Sequence, residues 1–199
     1  CEPPDCEMNA CPLFDCLGDA TVDALREALE EKNSDSRGTA DARNATFSWT
    51  CDSSSPVVVQ QRLGRSGDTA SSVWCASLEV ARWLSSSNQE ELGRVLDLST
   101  GTGFLGLWAA QKAGLTSHVT LADRSTQLPY IRRNVALNEK NLLTDVDVTP
   151  VLWGDVEAAR VLRVDTVFAS DLVYKESTYV KLVSTLEALQ PRLVILAFA

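Results

Sequence analysis

Four residues in the stretch "VLDLSTGTGFLGLWAAQKAG" (95–114) have types and spacing suited to holding a nucleotide: Asp97, Gly101, Gly103 and Gly106. Gly101-x-Gly103-x-x-Gly106 matches the turn by which a strand enters a helix while its backbone N–H groups approach a ligand. Asp97-x-Ser99-x-Gly101-x-Gly103 puts a carboxylate at the head of that turn. The two patterns imply different ligands. A doubly negative pyrophosphate is repelled by Asp97, whereas a ligand bearing ammonium and sulfonium groups is attracted. S-adenosylmethionine (SAM) carries both, so Asp97 favours SAM over NAD. The competing reading is an Asp that merely caps the loop. Ser99 stands where a glycine is expected, and it suits the turn if its backbone keeps an ordinary negative φ.

Two further stretches bear on the same chemistry. Asp123 ends "LAD" (121–123), about 20 residues past the glycine turn, where an acid at a strand tip holds a ribose hydroxyl pair. SAM and NAD sites share this feature, and a surface-turn acid is the plainer alternative. "ASDLVY" (169–174) ends a later strand. Ligands bind where strand order reverses in a doubly wound sheet, so Asp171 and Tyr174 would face a second substrate beside Gly101. A helix-initiating Asp with a packed Tyr competes with that reading. The single histidine, His118, precedes a strand and would lie far from the crevice, which disfavours a Ser-His-Asp hydrolase. Trp49, Trp83 and Trp108 are read as core.

These residues need a scaffold of alternating strands and helices. From Arg94 onward the pattern is strand "RVLDLS", helix "GFLGLWAAQKAG", strand "HVTLAD", helix "TQLPYIRRNVALNEKN", strand "DVDVTPVLW", short helix "DVEAARVL", strand "DTVFASD", helix "STYVKLVSTLEAL" and strand "RLVILAF". Near-continuous apolar strands alternating with amphipathic helices predict an α/β fold, a doubly wound, mostly parallel Rossmann-like sheet. Pro129 is tolerable only in a first helical turn, and Pro150 suggests an edge strand. Upstream, "TFSWT" and "PVVVQQRL" predict an antiparallel hairpin, and "SVWCASLEVARWL" a helix. Residues 1–45 are read as an acidic arm with one helix ("TVDALREALEEKN") and a linker (33–45), and 46–199 as the ligand-binding domain. The chain begins at Cys1 and stops inside "LVILAFA"; both ends read as cut, with the sheet truncated after its fifth strand.

Composition removes several classes of function. All of the net charge of −9 falls in residues 1–93, which hold 16 acids and 7 bases. That opposes nucleic-acid binding, which needs Lys and Arg to replace counterions. No apolar run reaches the roughly 20 residues of a membrane span. Cys1, Cys6, Cys11 and Cys16 recur every five residues without CxxC pairing or a nearby His, so no metal site is expected. Reduced thiols are the default, and a cytoplasmic location, extending to the nucleus, is expected.

Five stretches, taken together, resemble the seven-strand SAM-dependent protein methyltransferases, in particular the methyltransferase-like subgroup acting on lysines of chaperones and elongation factors. They are "TASSVWCA" (69–76), "VLDLSTGTGFLGLWAA" (95–110), Asn134-Val135-x-x-Asn138, "VLWGD" (151–155) and Asp171-x-x-Tyr174. The resemblance spans roughly 57–199. It implies that Trp74 lines the methionine side of SAM, and that Asp97 with Ser99–Gly103 holds its amino-acid part. It further implies that Asp123 holds the ribose, Trp153 stacks near the adenine and Ser170 touches the cofactor. Asp171 and Tyr174 would receive the methyl acceptor. The implied function is a monomeric SAM-dependent protein N-methyltransferase acting on a lysine of a protein substrate, such as a chaperone or translation elongation factor. The alternatives are a protein-histidine or small-amine methyltransferase, and a noncatalytic SAM-fold binding module. Three features depart from the subgroup's pattern: Ala70 and Cys75 replace a Gly and an Asp, Ser99 replaces the first glycine of the turn, and the last two strands are expected to be missing.

Overall fold

The computed structural model describes residues 43–50, 55–63, 69–87 and 90–198. The expected acidic arm, its helix and most of the linker lie outside these residues. The first strand, β1 (Arg43–Trp49), begins inside the expected linker, three residues before the anticipated domain start. It pairs antiparallel with β2 (Val57–Leu63), in a register that sets Phe47 opposite Val59. Residues 69–71 form one 3-10 turn before α1 (Cys75–Ser86). The alternating region then runs β3 (Arg94–Leu98), α2 (Phe104–Ala110), β4 (His118–Asp123), α3 (Leu128–Asn138) and β5 (Val146–Pro150). It continues through α4 (Val156–Arg160), β6 (Thr166–Ser170), α5 (Tyr179–Leu189) and β7 (Leu193–Ala197).

The five strands of this region form one parallel sheet in the order β5-β4-β3-β6-β7. The chain moves outward from β3 through β4 to β5, then returns to lay β6 against the other side of β3. The order therefore reverses between β3 and β6, which puts the topological switch point, where a doubly wound sheet binds its ligand, at their C-terminal ends. Pro150 ends the edge strand β5 and Pro129 lies in the first turn of α3, each where a missing N–H is harmless.

Alternate residues of each strand point to opposite helix layers. Leu96 and Leu98 of β3, Ala122 of β4 and Val167 and Ala169 of β6 share a core with Ala159 of α4 and Leu182 and Leu189 of α5. Asp97 and Leu121 point to the other layer, against Gly106 of α2. Helix α2 is buried at every position, which explains its small and apolar composition.

The hairpin braces this second layer. Phe47 and Trp49 of β1 pack edge-on against Phe104, the first residue of α2, at centroid distances of 5.9 and 5.4 Å. Among the described residues, the outer edge of β2 finds no further strand. It meets the side-chain amides of Asn134 and Asn138, one helical turn apart on α3, which imitate one. Val58 N–H donates to Asn138 Oδ1 (2.9 Å) and Gln60 N–H to Asn134 Oδ1 (2.9 Å). Asn138 Nδ2 donates to the Val58 carbonyl (2.6 Å), and Tyr130 Oη to the Gln60 carbonyl (2.5 Å). An edge that would otherwise expose unpaired backbone is thereby satisfied.

Trp49 and Trp108 are core, as expected. Trp83 is not: it is 49% exposed on the outer side of α1. The helical pattern that suggested burial is carried instead by Ala76, Val80, Ala81 and Leu84. Among the described residues, no helix is long and apolar enough to cross a membrane.

Candidate functional site

The turn after β3 is built around two buried carboxylates. Asp97 is 2% exposed and Asp123 4% exposed. Asp97 Oδ2 accepts from Gly106 N–H at 3.0 Å and from the Thr100 hydroxyl. Asp123 Oδ2 accepts from Gly101 N–H at 3.0 Å, and its Oδ1 from Arg124 N–H at 2.7 Å. Gly103 N–H closes a turn onto the Thr100 carbonyl at 2.9 Å. All three glycine N–H groups of the Gly-x-Gly-x-x-Gly pattern are therefore committed within the protein, two of them to carboxylates. Burial pushes the Asp97 carboxyl up to about 6, against the opposing pull of its bonds from Thr100 and Gly106 and with a smaller contribution from Asp123.

Steric constraints hold the glycines in place. Gly101 has φ +59°, and a Cβ there would lie 2.9 Å from the Ala70 carbonyl oxygen. The segment before α1 thus lies directly on the turn, although Ala70 replaces the glycine of the subgroup's pattern. Gly106 is closed to a side chain because a Cβ would sit 2.3 Å from Leu121 Cδ2.

The condition on which Ser99 would suit the turn, an ordinary negative φ, is not met. Its φ is +55°, in the left-handed region that favours glycine. The chain must reverse sharply as it leaves β3, and Ser99 takes the conformation that a glycine would adopt without cost. The Ser99 hydroxyl accepts the indole N–H of Trp153 at 2.8 Å. Trp153 is half-buried and packs against the core shared with α4 and α5. The following Gly154 (φ +91°) anchors this loop through its N–H to Thr185 Oγ1 at 2.8 Å.

Asp171 is the second non-glycine residue at a strand end with a left-handed backbone, at φ +57°. It follows Ser170, the last residue of β6, and its N–H donates to the Ala197 carbonyl of β7 at 2.8 Å. It does not initiate a helix, and Tyr174 is not packed but 65% exposed. The β3–β6 register, with Asp97 opposite Phe168, sets the Ser99 and Ser170 positions side by side if extended by two residues. Trp74 flanks the N-terminus of α1 and is 42% exposed.

The tertiary structure thus gathers Asp97, Ser99, Gly101, Gly103, Asp123 and Trp153 around one turn, with Ser170 and Asp171 across the switch point. Trp74, at the N-terminus of α1, and Tyr174, three residues beyond Asp171, are both exposed. His118 begins β4 at the opposite end of the sheet, where its Nε2 lies 3.1 Å from Asp147 Oδ2. Three residues inside the quoted stretches have roles that the motif reading did not assign. Thr100 ties the head of the turn to Asp97, and the Ala70 carbonyl covers Gly101. Asn134 donates from Nδ2 to the Thr102 carbonyl at 2.8 Å. The signal for Asn134 was available: Asn134 and Asn138, both poor helix formers, share one face of an otherwise ordinary helix.

Comparison with known proteins points to one family. The sequence model of a family described as lysine methyltransferase matches residues 53–198. Protein N-lysine methyltransferase METTL21A of Danio rerio is 32% identical over 132 residues, covering 65% of this chain and 57% of that protein. EEF1A lysine methyltransferase 3 of Xenopus tropicalis is 30% identical over 132 residues, 66% of this chain and 57% of that protein. Protein-lysine N-methyltransferase EFM3 of Chaetomium thermophilum is 30% identical over 138 residues, 64% of this chain and 40% of that protein. The chain spans about half the length of these curated relatives.

Proposed function

Because the chain belongs to the lysine methyltransferase family, we propose that it binds SAM at the switch point between β3 and β6 and methylates a lysine side chain of a protein. One observation carries the choice of cofactor. The N–H groups of Gly101 and Gly106, which a pyrophosphate would need, already bind the carboxylates of Asp123 and Asp97. The turn therefore offers a cofactor negative charge in place of free donors. That suits a cation and opposes NAD.

The residues present fit SAM. Asp97 lies beneath the turn and acts on a bound cation through its field, since its Oδ2 is held by Gly106 and Thr100. Asp123, at the tip of β4, has the position from which a carboxylate meets ribose hydroxyls. Trp153 offers the edge of the crevice an apolar ring for the base, and Trp74 flanks the opposite, methionine side. The Ser170 backbone and hydroxyl border the cofactor from β6. When bound, SAM supplies an electrophilic methyl group on a sulfonium.

The chain's own task is to align an amine with that methyl and hold it neutral. A free lysine has a pKa near 10.4, so neutralising it at pH 7 costs about 4.6 kcal/mol. Asp171 orients the incoming ammonium before its proton is lost. Tyr174 presents an exposed ring whose face attracts the cation. A chaperone or an elongation factor is the class of substrate we propose, in keeping with the name of the EEF1A lysine methyltransferase 3 relative. The enzyme acts as a monomer in the cytoplasm, and also in the nucleus.

Isothermal titration with SAM and with NAD tests the cofactor. Binding of SAM alone is expected, and NAD binding in its place would overturn the reading. Incubation of an extract with labelled SAM and this protein, followed by identification of the labelled residue, tests the acceptor. Label on histidine or on small amines alone would overturn the lysine assignment.

A further inference from the structure

Ser99 is held where its own backbone preference opposes it. Its φ of +55° is one that glycine adopts freely. Such strain persists only where the surroundings over-determine it, and it concentrates at functional sites. The surroundings here are specific. The Ser99 hydroxyl accepts the Trp153 indole N–H at 2.8 Å, across the C-terminal end of β4, which separates their two strands in the sheet. Glycine would relieve the backbone and remove the acceptor, leaving a half-buried indole N–H without this partner.

We propose that Ser99 is a positioning residue whose hydroxyl fixes the plane of the Trp153 ring, and through it the wall against which the cofactor's base rests. The inference rests on the SAM-site reading above. Trp153 also packs against the core shared with α4 and α5, and its loop is held by the Gly154 N–H on Thr185 Oγ1 at 2.8 Å and the Asp155 N–H on the Leu152 carbonyl at 3.0 Å. Core packing confines the ring, and the bond from its indole nitrogen to Ser99 sets its orientation against the turn. Because Ser99 is also part of the turn that closes over Asp97, one residue couples the floor of the site to its wall.

The test uses Ser99→Gly, Ser99→Ala, Trp153→Phe and the Ser99→Gly/Trp153→Phe pair in the whole chain. SAM affinity is read by titration calorimetry and Tm by thermal unfolding. Ser99→Gly is expected to raise Tm while weakening SAM binding roughly five-fold, the scale of one lost hydrogen bond. Ser99→Ala should keep the strain, lower Tm and weaken binding by the same factor. Trp153→Phe should weaken binding, and adding Ser99→Gly to it should weaken binding no further, because both act through one contact. A merely structural role would move stability and affinity in the same direction. Wild-type affinity in Ser99→Gly, or a loss that adds fully to that of Trp153→Phe, overturns the inference alone. Absence of SAM binding by the wild-type chain overturns the cofactor reading and the inference with it.

Discussion

Asn134 joins the hairpin to the glycine turn. Its side chain is fully buried and donates from Nδ2 to the Thr102 carbonyl at 2.8 Å, while its Oδ1 accepts from Gln60 N–H at 2.9 Å. A second link runs from the hairpin to the segment before α1, where Gln61 Oε1 accepts from Val73 N–H at 2.7 Å. The hairpin is thus part of the frame of the site, although it contributes no residue to it.

Asn134→Ala should therefore destabilise the domain by about 2 kcal/mol, since it takes the Asn134 partner from the buried Thr102 carbonyl and from the half-buried Gln60 N–H. Hydrogen exchange at residues 100–106 and at residues 57–63 should accelerate together. Faster exchange in the hairpin with an unchanged glycine turn would contradict the coupling.

Asp97 should make stability depend on pH in the sense opposite to most carboxylates. Its folded pKa is raised from 3.8 to about 6, so the folded state binds the proton more tightly than the unfolded state. The stability it contributes is complete below pH 3.8 and is lost as pH rises through about 6, amounting to about 3 kcal/mol. Asp97→Asn should thus gain on the wild type as pH rises from 4 to 7, read as the difference in denaturant midpoint. The same variant should bind SAM far more weakly at pH 7, and wild-type affinity for this cation should rise with pH through the same window. A pH-independent difference between the two proteins would show that Asp97 is not raised.

Gly101 and Gly114 separate two costs of replacing a glycine. Both have positive φ, +59° and +73°. A Cβ at Gly101 meets the Ala70 carbonyl oxygen at 2.9 Å, whereas a Cβ at Gly114 meets nothing within 4 Å. Gly114→Ala should cost about 1 kcal/mol, from backbone strain alone. Gly101→Ala should cost roughly 2–4 kcal/mol, because backbone must move as well, and SAM binding should disappear. Equal losses in denaturant unfolding would show that the Ala70 segment yields freely.

Asp171→Asn should leave Tm and SAM affinity near wild type while methyl transfer from labelled SAM falls at least a hundred-fold. Asn tolerates the left-handed φ of +57° found at this position, so the change tests the charge rather than the backbone. Retained turnover would remove Asp171 from the acceptor site.

Periodicity and a few residue types were sufficient to read the architecture. The largely apolar runs 94–98, 118–123 and 166–170 are covered strands, and Pro129 and Pro150 mark a helix start and a strand end as the structure has them, whereas α2 stops at Ala110, four residues short of the Gly114 expected to close it. Trp83 misled because helical spacing identifies a buried face without saying how wide it is. Contacts between residues far apart in the chain left no such local trace. Asn134 meets Gln60 across 74 positions and Ser99 meets Trp153 across 54. Neither pairing follows from propensity or spacing: the first depends on where the edge of the hairpin docks on α3, the second on which strand ends the sheet order brings together.

The sequence by itself determined the alternating scaffold, the glycine turn and the acid at its head, since these follow from local stereochemistry and from the sign of a charge. Tertiary structure alone decided that Asp97 lies buried beneath the turn instead of facing outward. It also decided that Ser99 adopts a left-handed backbone, because a φ angle records the path the packed chain must take and not the preference of the residue that takes it.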